Sequence, residues 1–349
     1  MRVLITGNMG YVGPGVVRHL VKSSHEFKVI GFDTSLFGHC LTTNESLPER
    51  MLIEQRFGDV RNIQTEDLIG IDAVVHLAAL SNDPMGKQFE TVTDDINHTA
   101  SVRLASLCAK AGVKAFVFAS SCSVYGFAGD GRARTEKDSV EPLTAYARSK
   151  IDTEQSLARM DHGAMTVSCL RFATACGMSD RLRLDLVVND FVACALSSST
   201  ITVLSDGSPW RPLIDVKDMA RAIEWAILRA REPNQGILVV NVGSEKWNYQ
   251  VRDLAQAVAA SIPGTTISIN INAPPDRRSY KVDFSLFQRL APDYQPIQTL
   301  DTSIVGLRDG LRSIGFQNLE FRDSNLIRLR VLERHQSAGR IDQSIRWTI

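Results

Sequence analysis

The sequence has no Cys-x-x-Cys pair; its six cysteines (Cys40, Cys108, Cys122, Cys169, Cys176, Cys194) are scattered along 349 residues. That spacing argues against a disulfide scaffold and against structural zinc, so no metal is expected and reduced thiols in the cytoplasm are. No apolar run is long enough to cross a bilayer, so no membrane partner is expected. A signal peptide is not expected either, because Arg2 leads at once into a predicted strand. Net charge is absent too: 39 basic residues balance 39 acidic ones. Such a total advertises no polyanion, and a nucleic-acid partner is not expected. There is no internal repeat and no low-complexity block. What is left, at 44% hydrophobic and 22% charged, is an ordinary globular composition. The length suggests about two domains.

The organising stretch is Val3–Gly13. A short apolar run ends in Gly7, Gly10 and Gly13, three apart, and a helical pattern follows (Val16, Val17, Leu20, Val21). This reads as strand, tight turn, helix, with free N–H groups at the helix start facing an anion. A second apolar run ends at Asp33, 20 residues beyond Gly13. That spacing suits a carboxylate accepting ribose hydroxyls. The alternative is an ordinary Gly-rich turn.

Strand and helix signals then alternate. Strands are predicted at 28–33, weakly at 51–57, and at 71–79, 115–119 and 166–172. Helices are predicted at 95–111 and 144–160, and 34–49 reads as a loop. Such alternation predicts an α/β fold, a doubly wound parallel sheet with ligands at the carboxyl ends of its strands. The second half is less regular: helices at 186–196, 218–230 and 251–260, strands at 201–204 and 237–242. A smaller, partly interleaved lobe is expected. Residues 1–172, with 214–242 returning, would form the first unit; 173–213 and 243–349 would form the second.

Tyr146 and Lys150 stand four apart in a predicted helix, hence on one face. A phenol titrates near pH 10 and is a poor base at neutral pH. A neighbouring ammonium is expected to lower that value, so the pair can move protons at a carbinol or ketone. A solvated helix face is the competing reading. The strand before the pair ends in Ser120-Ser121-Cys122-Ser123, where a hydroxyl can reach the reacting oxygen; a Ser-rich turn is the alternative.

With these residues in hand, the chain resembles the extended short-chain dehydrogenase/reductases, in the branch of NAD-dependent nucleotide-sugar epimerases and dehydratases. The likeness rests on Thr6–Gly13, Asp33, Asp59-Val60-Arg61, His76–Ala79, Ser120–Gly126, the Tyr146/Lys150 pair and Leu170–Phe172. It continues through Trp210–Pro212, Asp215-Val216 with Asp218, Asn241–Gly243 and Asp276-Arg277, to about residue 285. The resemblance implies a Rossmann fold and NAD as cofactor. It implies Tyr146 as acid/base, Lys150 on the nicotinamide ribose, and Ser121 orienting the sugar oxygen. Gly7, Gly10, Tyr11, Val12 and Gly13 would cradle the pyrophosphate, with Asp33 on the adenosine ribose and Asp59 and Val60 beside adenine. Leu77, Ala78, Ala79, Asn97, Ser120 and Phe172 would line the cofactor cleft. Ser123, Thr174, Asn189, Arg211 and Arg277 would meet the nucleotide-diphosphate sugar, Arg278 being the alternative to Arg277. A homodimer through the helices near 95–111 and 144–160 is likewise implied.

Two departures bear on the reaction. Cys122 and Ser123 stand where dehydratases carry acidic residues, which disfavours elimination of water. Cys122 itself reads as a small packed residue rather than a catalytic thiol. The leading expectation is an epimerase acting at C4 of a nucleotide-activated hexose through a 4-keto intermediate. The alternatives are a reductase of a 4-keto nucleotide sugar and a non-catalytic cofactor-sensing protein. The acidic Asp33 followed by Thr34-Ser35, with no arginine nearby, favours NAD over NADP. His76 reads as structural, and the amphipathic tail from Asn318 onward has no assigned role.

Overall fold

A computed structural model describes residues 1–81, 83–128, 131–232, 235–273 and 278–348. The first unit runs β1 (Arg2–Thr6), α1 (Gly13–Lys22), β2 (Lys28–Asp33), β3 (Glu54–Phe57) and β4 (Ala73–His76). Then come α2 (Asp83–Gln88), α3 (Glu90–Asp94), a π-turn over Asp95–Thr99, α4 (Ala100–Lys110), β5 (Ala115–Ser121), β6 (Ala133–Arg134), α5 (Ala145–Arg159) and β7 (Thr166–Phe172). The chain continues through β8 (Thr174–Cys176), α6 (Val187–Ser197), β9 (Thr200–Val203), β10 (Trp210–Asp215), α7 (Val216–Leu228) and β11 (Ile237–Val242). It ends with β12 (Asn248–Gln250), α8 (Val251–Ser261), β13 (Thr266–Ile269), β14 (Lys281–Val282), α9 (Ser285–Leu290), α10 (Leu300–Ser313) and α11 (Arg328–Ser337).

Seven strands form one parallel sheet in the order β11-β7-β5-β4-β1-β2-β3. Every residue of β7 is buried, as a strand covered on both faces requires. One core joins β1, α1, α6 and α7 on one side of the sheet. A second packs Leu104, Ala105 and Cys108 of α4 and Leu157 of α5 on the other. The chain reverses direction across the sheet between β1 and β4, and that switch point opens a crevice at their carboxyl ends.

Smaller sheets, β12-β10-β8 and β13-β9, lie in the second half. They pack with α6, α8 and α10, while β11 returns to the large sheet.

Several elements differ from expectation for physical reasons. The weak strand at 51–57 is a 3-10 turn (Pro48–Met51) followed by a half-exposed edge strand. The 71–79 strand stops at His76, where the backbone leaves the sheet toward Asn97. Helix α7 begins two residues early because the Asp215 side chain caps it, accepting from the Lys217 N–H at 2.8 Å. The tail also reaches the first unit. Leu332, Ile341 and Ile345 pack into one buried cluster with Leu36, Leu80, Met85 and Phe89.

Candidate active site

The glycine turn is held by contacts no side chain would permit. Gly7 has φ 77°, and a Cβ there would lie 2.6 Å from the Ala78 nitrogen; a Cβ on Gly13 would lie 2.2 Å from the Asn8 carbonyl oxygen. The first brings β1 and β4 together at the switch point, and the second seats α1 against its strand. The Asp33 carboxylate accepts from the Met9 N–H (2.9 Å) and the Ser35 N–H (2.7 Å), so it is pinned at the end of β2.

A single cavity of about 670 Å³ runs along these strand ends, a size within the ordinary range for ligand sites. It brings together Gly7, Gly10, Tyr11, Val12, Gly13, Asp33, Asp59, Val60, Leu77, Ala78 and Ala79. Ser120, Ser121, Ser123, Tyr146, Lys150, Phe172, Thr174 and Arg211 line the same space. Arg277 lies outside the described residues; its neighbour Arg278 lines the cavity and pairs with Asp83 at 2.9 Å.

Two expected members are elsewhere. Asn97 is fully buried and does not line the cavity. Its amide clamps the Leu80 backbone, accepting from the N–H at 2.8 Å and donating to the carbonyl at 2.9 Å, so it shapes the wall from behind. Asn189 is also spent internally: it donates to the Tyr11 hydroxyl (3.0 Å) and the Arg183 carbonyl (2.8 Å) and accepts from the Gly177 N–H (3.1 Å). Ser120 reaches the cavity, but its hydroxyl donates to Glu154 at 2.5 Å.

Tyr146 sits in the first turn of α5, whose N-cap Thr144 accepts from the Ala147 N–H. Its electrostatics differ from expectation. Burial pushes the phenol up to about 12, while a hydrogen bond with Ser121 and the Arg183 guanidinium pull it down. Lys150 stands one turn further along the same helix. Its Nζ lies 5.5 Å from the Tyr146 ring centre and 4.7 Å from that of Phe118. Burial lowers the Lys150 ammonium to about 7. Desolvation therefore outweighs the charge effect inferred from the four-residue spacing. Among the described residues no hydrogen-bond or ion-pair partner reaches the Lys150 Nζ, and the buried Ser123 Oγ is also unpartnered.

His76 accepts from or donates to Thr6 and Ser101 through its two nitrogens, and burial keeps it neutral, near 3. Cys122 is buried with its thiol donating to the Arg171 carbonyl, and burial pushes its pKa up. Neither side chain is placed for chemistry. Among the cavity residues that escaped sequence reasoning are Arg183 and Arg328. Arg183 donates to Ser81 (2.7 Å) and pairs with Asp185 (2.8 Å); Arg328 enters from the tail. Arg183 lies between elements, and Arg328 opens α11 far along the chain from the expected cleft residues, so no local pattern marks either.

A doubly wound sheet with a glycine turn at its switch point, and a Ser–Tyr–Lys set one strand away, defines a dinucleotide-dependent site of the short-chain dehydrogenase/reductase class. Residues 3–243 match the family described as NAD dependent epimerase/dehydratase. The chain belongs to that family, and it is an NAD-dependent enzyme; reading it as an epimerase fits its relatives. It is 28% identical over 232 residues to an uncharacterised UDP-glucose epimerase, YtcB, of Bacillus subtilis, covering 64% of this chain and 71% of that one. It is 30% identical over 287 residues to a UDP-glucose 4-epimerase of Lactobacillus helveticus, covering 76% and 84%. The solved structure of MoeE5 in complex with UDP-glucose and NAD superposes with a TM-score of 0.74 at 25% identity, covering 90% of this chain and 99% of that one. Among the described residues no helix is long and apolar enough to cross a membrane.

Proposed function

We propose that the protein interconverts nucleotide-activated hexoses at C4, by oxidation to a 4-keto sugar and return of hydride to the other face. The observation that carries this reading is the placing of Ser121, Tyr146 and Lys150 in one cavity with the glycine turn. The residues fit the dinucleotide: Gly7 and Gly13 leave backbone where a Cβ would fill the turn, and among the described residues the Lys150 Nζ has no hydrogen-bond or ion-pair partner. Gly10 to Gly13 would hold its diphosphate, Asp33 its adenosine ribose, Asp59 and Val60 its adenine, and Lys150 the nicotinamide ribose. When bound, NAD supplies reversible hydride acceptance.

The chain's own residues do the rest. Tyr146 takes the C4 hydroxyl proton and returns it, with Ser121 orienting the same oxygen. Arg211 and Arg278 would grip the substrate diphosphate, where guanidinium forks suit paired oxygens. Ser123 and Thr174 would meet the sugar. Elimination of water is disfavoured, because the two positions after Ser121 carry no carboxyl group: the Cys122 thiol donates to the Arg171 carbonyl and Ser123 has only a hydroxyl.

One observation favours a second reading, a 4-keto-sugar reductase. A phenol near 12 is a proton donor at neutral pH, the role that ketone reduction requires. Incubation with UDP-, dTDP-, GDP- and CDP-hexoses, with and without added cofactor, separates the two. Epimerisation without net cofactor consumption supports the first; stoichiometric oxidation of NADH or NADPH by a keto sugar supports the second. The division into a dinucleotide-binding unit and a substrate lobe, a homodimer through α4 and α5, and a cytoplasmic location belong to the same proposal. Sedimentation of the purified protein tests the dimer.

A further inference from the structure

The final segment runs the length of the cleft. Arg322, Arg328 and Ile345 all line the cavity. Arg322 pairs with Asp190 of α6 at 2.9 Å, at the end of the cleft nearest the second lobe. Beyond α11 the chain reaches the ends of β2 and β3. The Trp347 indole N–H donates to the Thr34 carbonyl at 2.7 Å, one residue after Asp33. The His335 ring donates to the Leu36 carbonyl, and Arg61 donates to the Ser344 carbonyl at 2.9 Å. Ile345 is buried at φ 56°. A β-branched residue rarely adopts that conformation, and such strain persists only where the surroundings over-determine it.

Arg328 is 2% exposed, yet no carboxylate pairs with it among the described residues. Its guanidinium donates to two carbonyls, Arg181 (2.7 Å) and Asn325 (3.1 Å), and lies over the Phe37 ring at 5.2 Å. Asp185, the acid nearest in influence, is engaged by Arg183. Burial lowers Arg328 to about 10, and Arg183 and Arg181 push the same way. A buried cation without a counter-ion is costly, and one that lines a cavity points to an anionic ligand. Asn189 ties the Arg183 backbone carbonyl to the Tyr11 hydroxyl, and Arg183 and Arg328 line the same cavity as Gly10 to Gly13.

We propose that residues 321–348 form a strap over the dinucleotide end of the cleft, and that Arg328 contacts the diphosphate of NAD. This rests on the placement of NAD given above. The substrate diphosphate is the other source of the same chemistry. The dinucleotide is chosen because the contacts beyond α11, Trp347 on the Thr34 carbonyl and Ser344 on Arg61, fall beside Asp33 and Asp59.

The test uses the full chain and the variants Arg328→Met and Trp347→Ala. NAD and UDP binding are measured by calorimetry, NAD release by stopped flow, and unfolding without ligand by a thermal scan. Arg328→Met is expected to bind NAD about thirtyfold more weakly, with UDP affinity unchanged and the ligand-free melting temperature equal or higher. Trp347→Ala is expected to release NAD about fivefold faster. Unchanged NAD affinity in Arg328→Met, a loss for UDP instead, or a lowered ligand-free melting temperature would each overturn the strap. Wild-type protein that binds NAD but epimerises nothing sinks the proposed function alone. Wild-type protein that binds no NAD sinks both.

Discussion

Two groups of buried charge lie within one strand of each other and are built on opposite principles. Behind the cleft, Arg171 of β7 pairs with Glu154 of α5 at 2.7 Å and donates to the Tyr125 hydroxyl at 3.0 Å. Tyr125 passes on to Asn241, and Ser120 completes Glu154. Each charge there has its complement. At the cleft wall, Lys150 and Arg328 are equally buried and have none among the described residues. A satisfied network specifies the fold, because any member removed strands the rest. Buried cations without a counter-ion raise the energy of the free protein and are kept where a ligand completes them.

The largest effect expected is on the paired side. Arg171→Met leaves Glu154 buried without its counter-ion, and should lower stability by about 3–5 kcal/mol. Urea unfolding reads this directly; a loss under 1 kcal/mol would erase the contrast. Tyr146→Phe, by comparison, should leave stability nearly unchanged while lowering kcat about 10²–10⁴-fold. Epimerisation at wild-type rate in that variant would remove the phenol from the reaction.

Lys150 sharpens the comparison, because its sign is reversed. Its amine titrates near 7 in the folded chain against an ordinary 10.5. Between those values the unfolded chain binds more protons, so this group makes stability rise with pH there. Below pH 7 the full penalty applies; above about 10.5 it is gone. Lys150→Met should therefore stabilise the ligand-free protein by about 2–4 kcal/mol at pH 6.5. The gain should shrink steadily toward pH 10, as denaturant midpoints in a pH series would show. A variant less stable than wild type at pH 6.5 would place Lys150 with the structural network.

The glycine turn, Asp33 and the Tyr146/Lys150 pair were legible because each is a local pattern: a spacing, a strand end, one turn of helix. The strand expected at 166–172 is β7, Thr166–Phe172, and the continuous apolar run 115–119 lies within β5, Ala115–Ser121. Asn97 and Asn189 misled because they stand in the right segments, yet a buried amide more often satisfies backbone than ligand. The Tyr146 pKa misled because spacing shows who is near but not how much water has been removed. Arg183 and Arg328 were illegible: the first lies between elements, and the second reaches the cleft from a tail more than 170 residues beyond Lys150.

The smallest effect distinguishes a functional vacancy in bonding from a flaw in packing. The Ser123 Oγ is buried, unpartnered and at the cavity wall, while Ser121 next to it accepts from the Ser123 N–H. An unsatisfied buried hydroxyl costs on the order of 1 kcal/mol, so Ser123→Ala should leave the ligand-free protein as stable or slightly more so. If the hydroxyl is kept for the sugar, the same variant should raise KM for the sugar nucleotide about three- to tenfold at nearly constant kcat, the signature of lost uniform binding. Raised stability with unchanged KM would mark Ser123 as a packing compromise, and would confine the functional cations to the wall formed by Lys150 and Arg328.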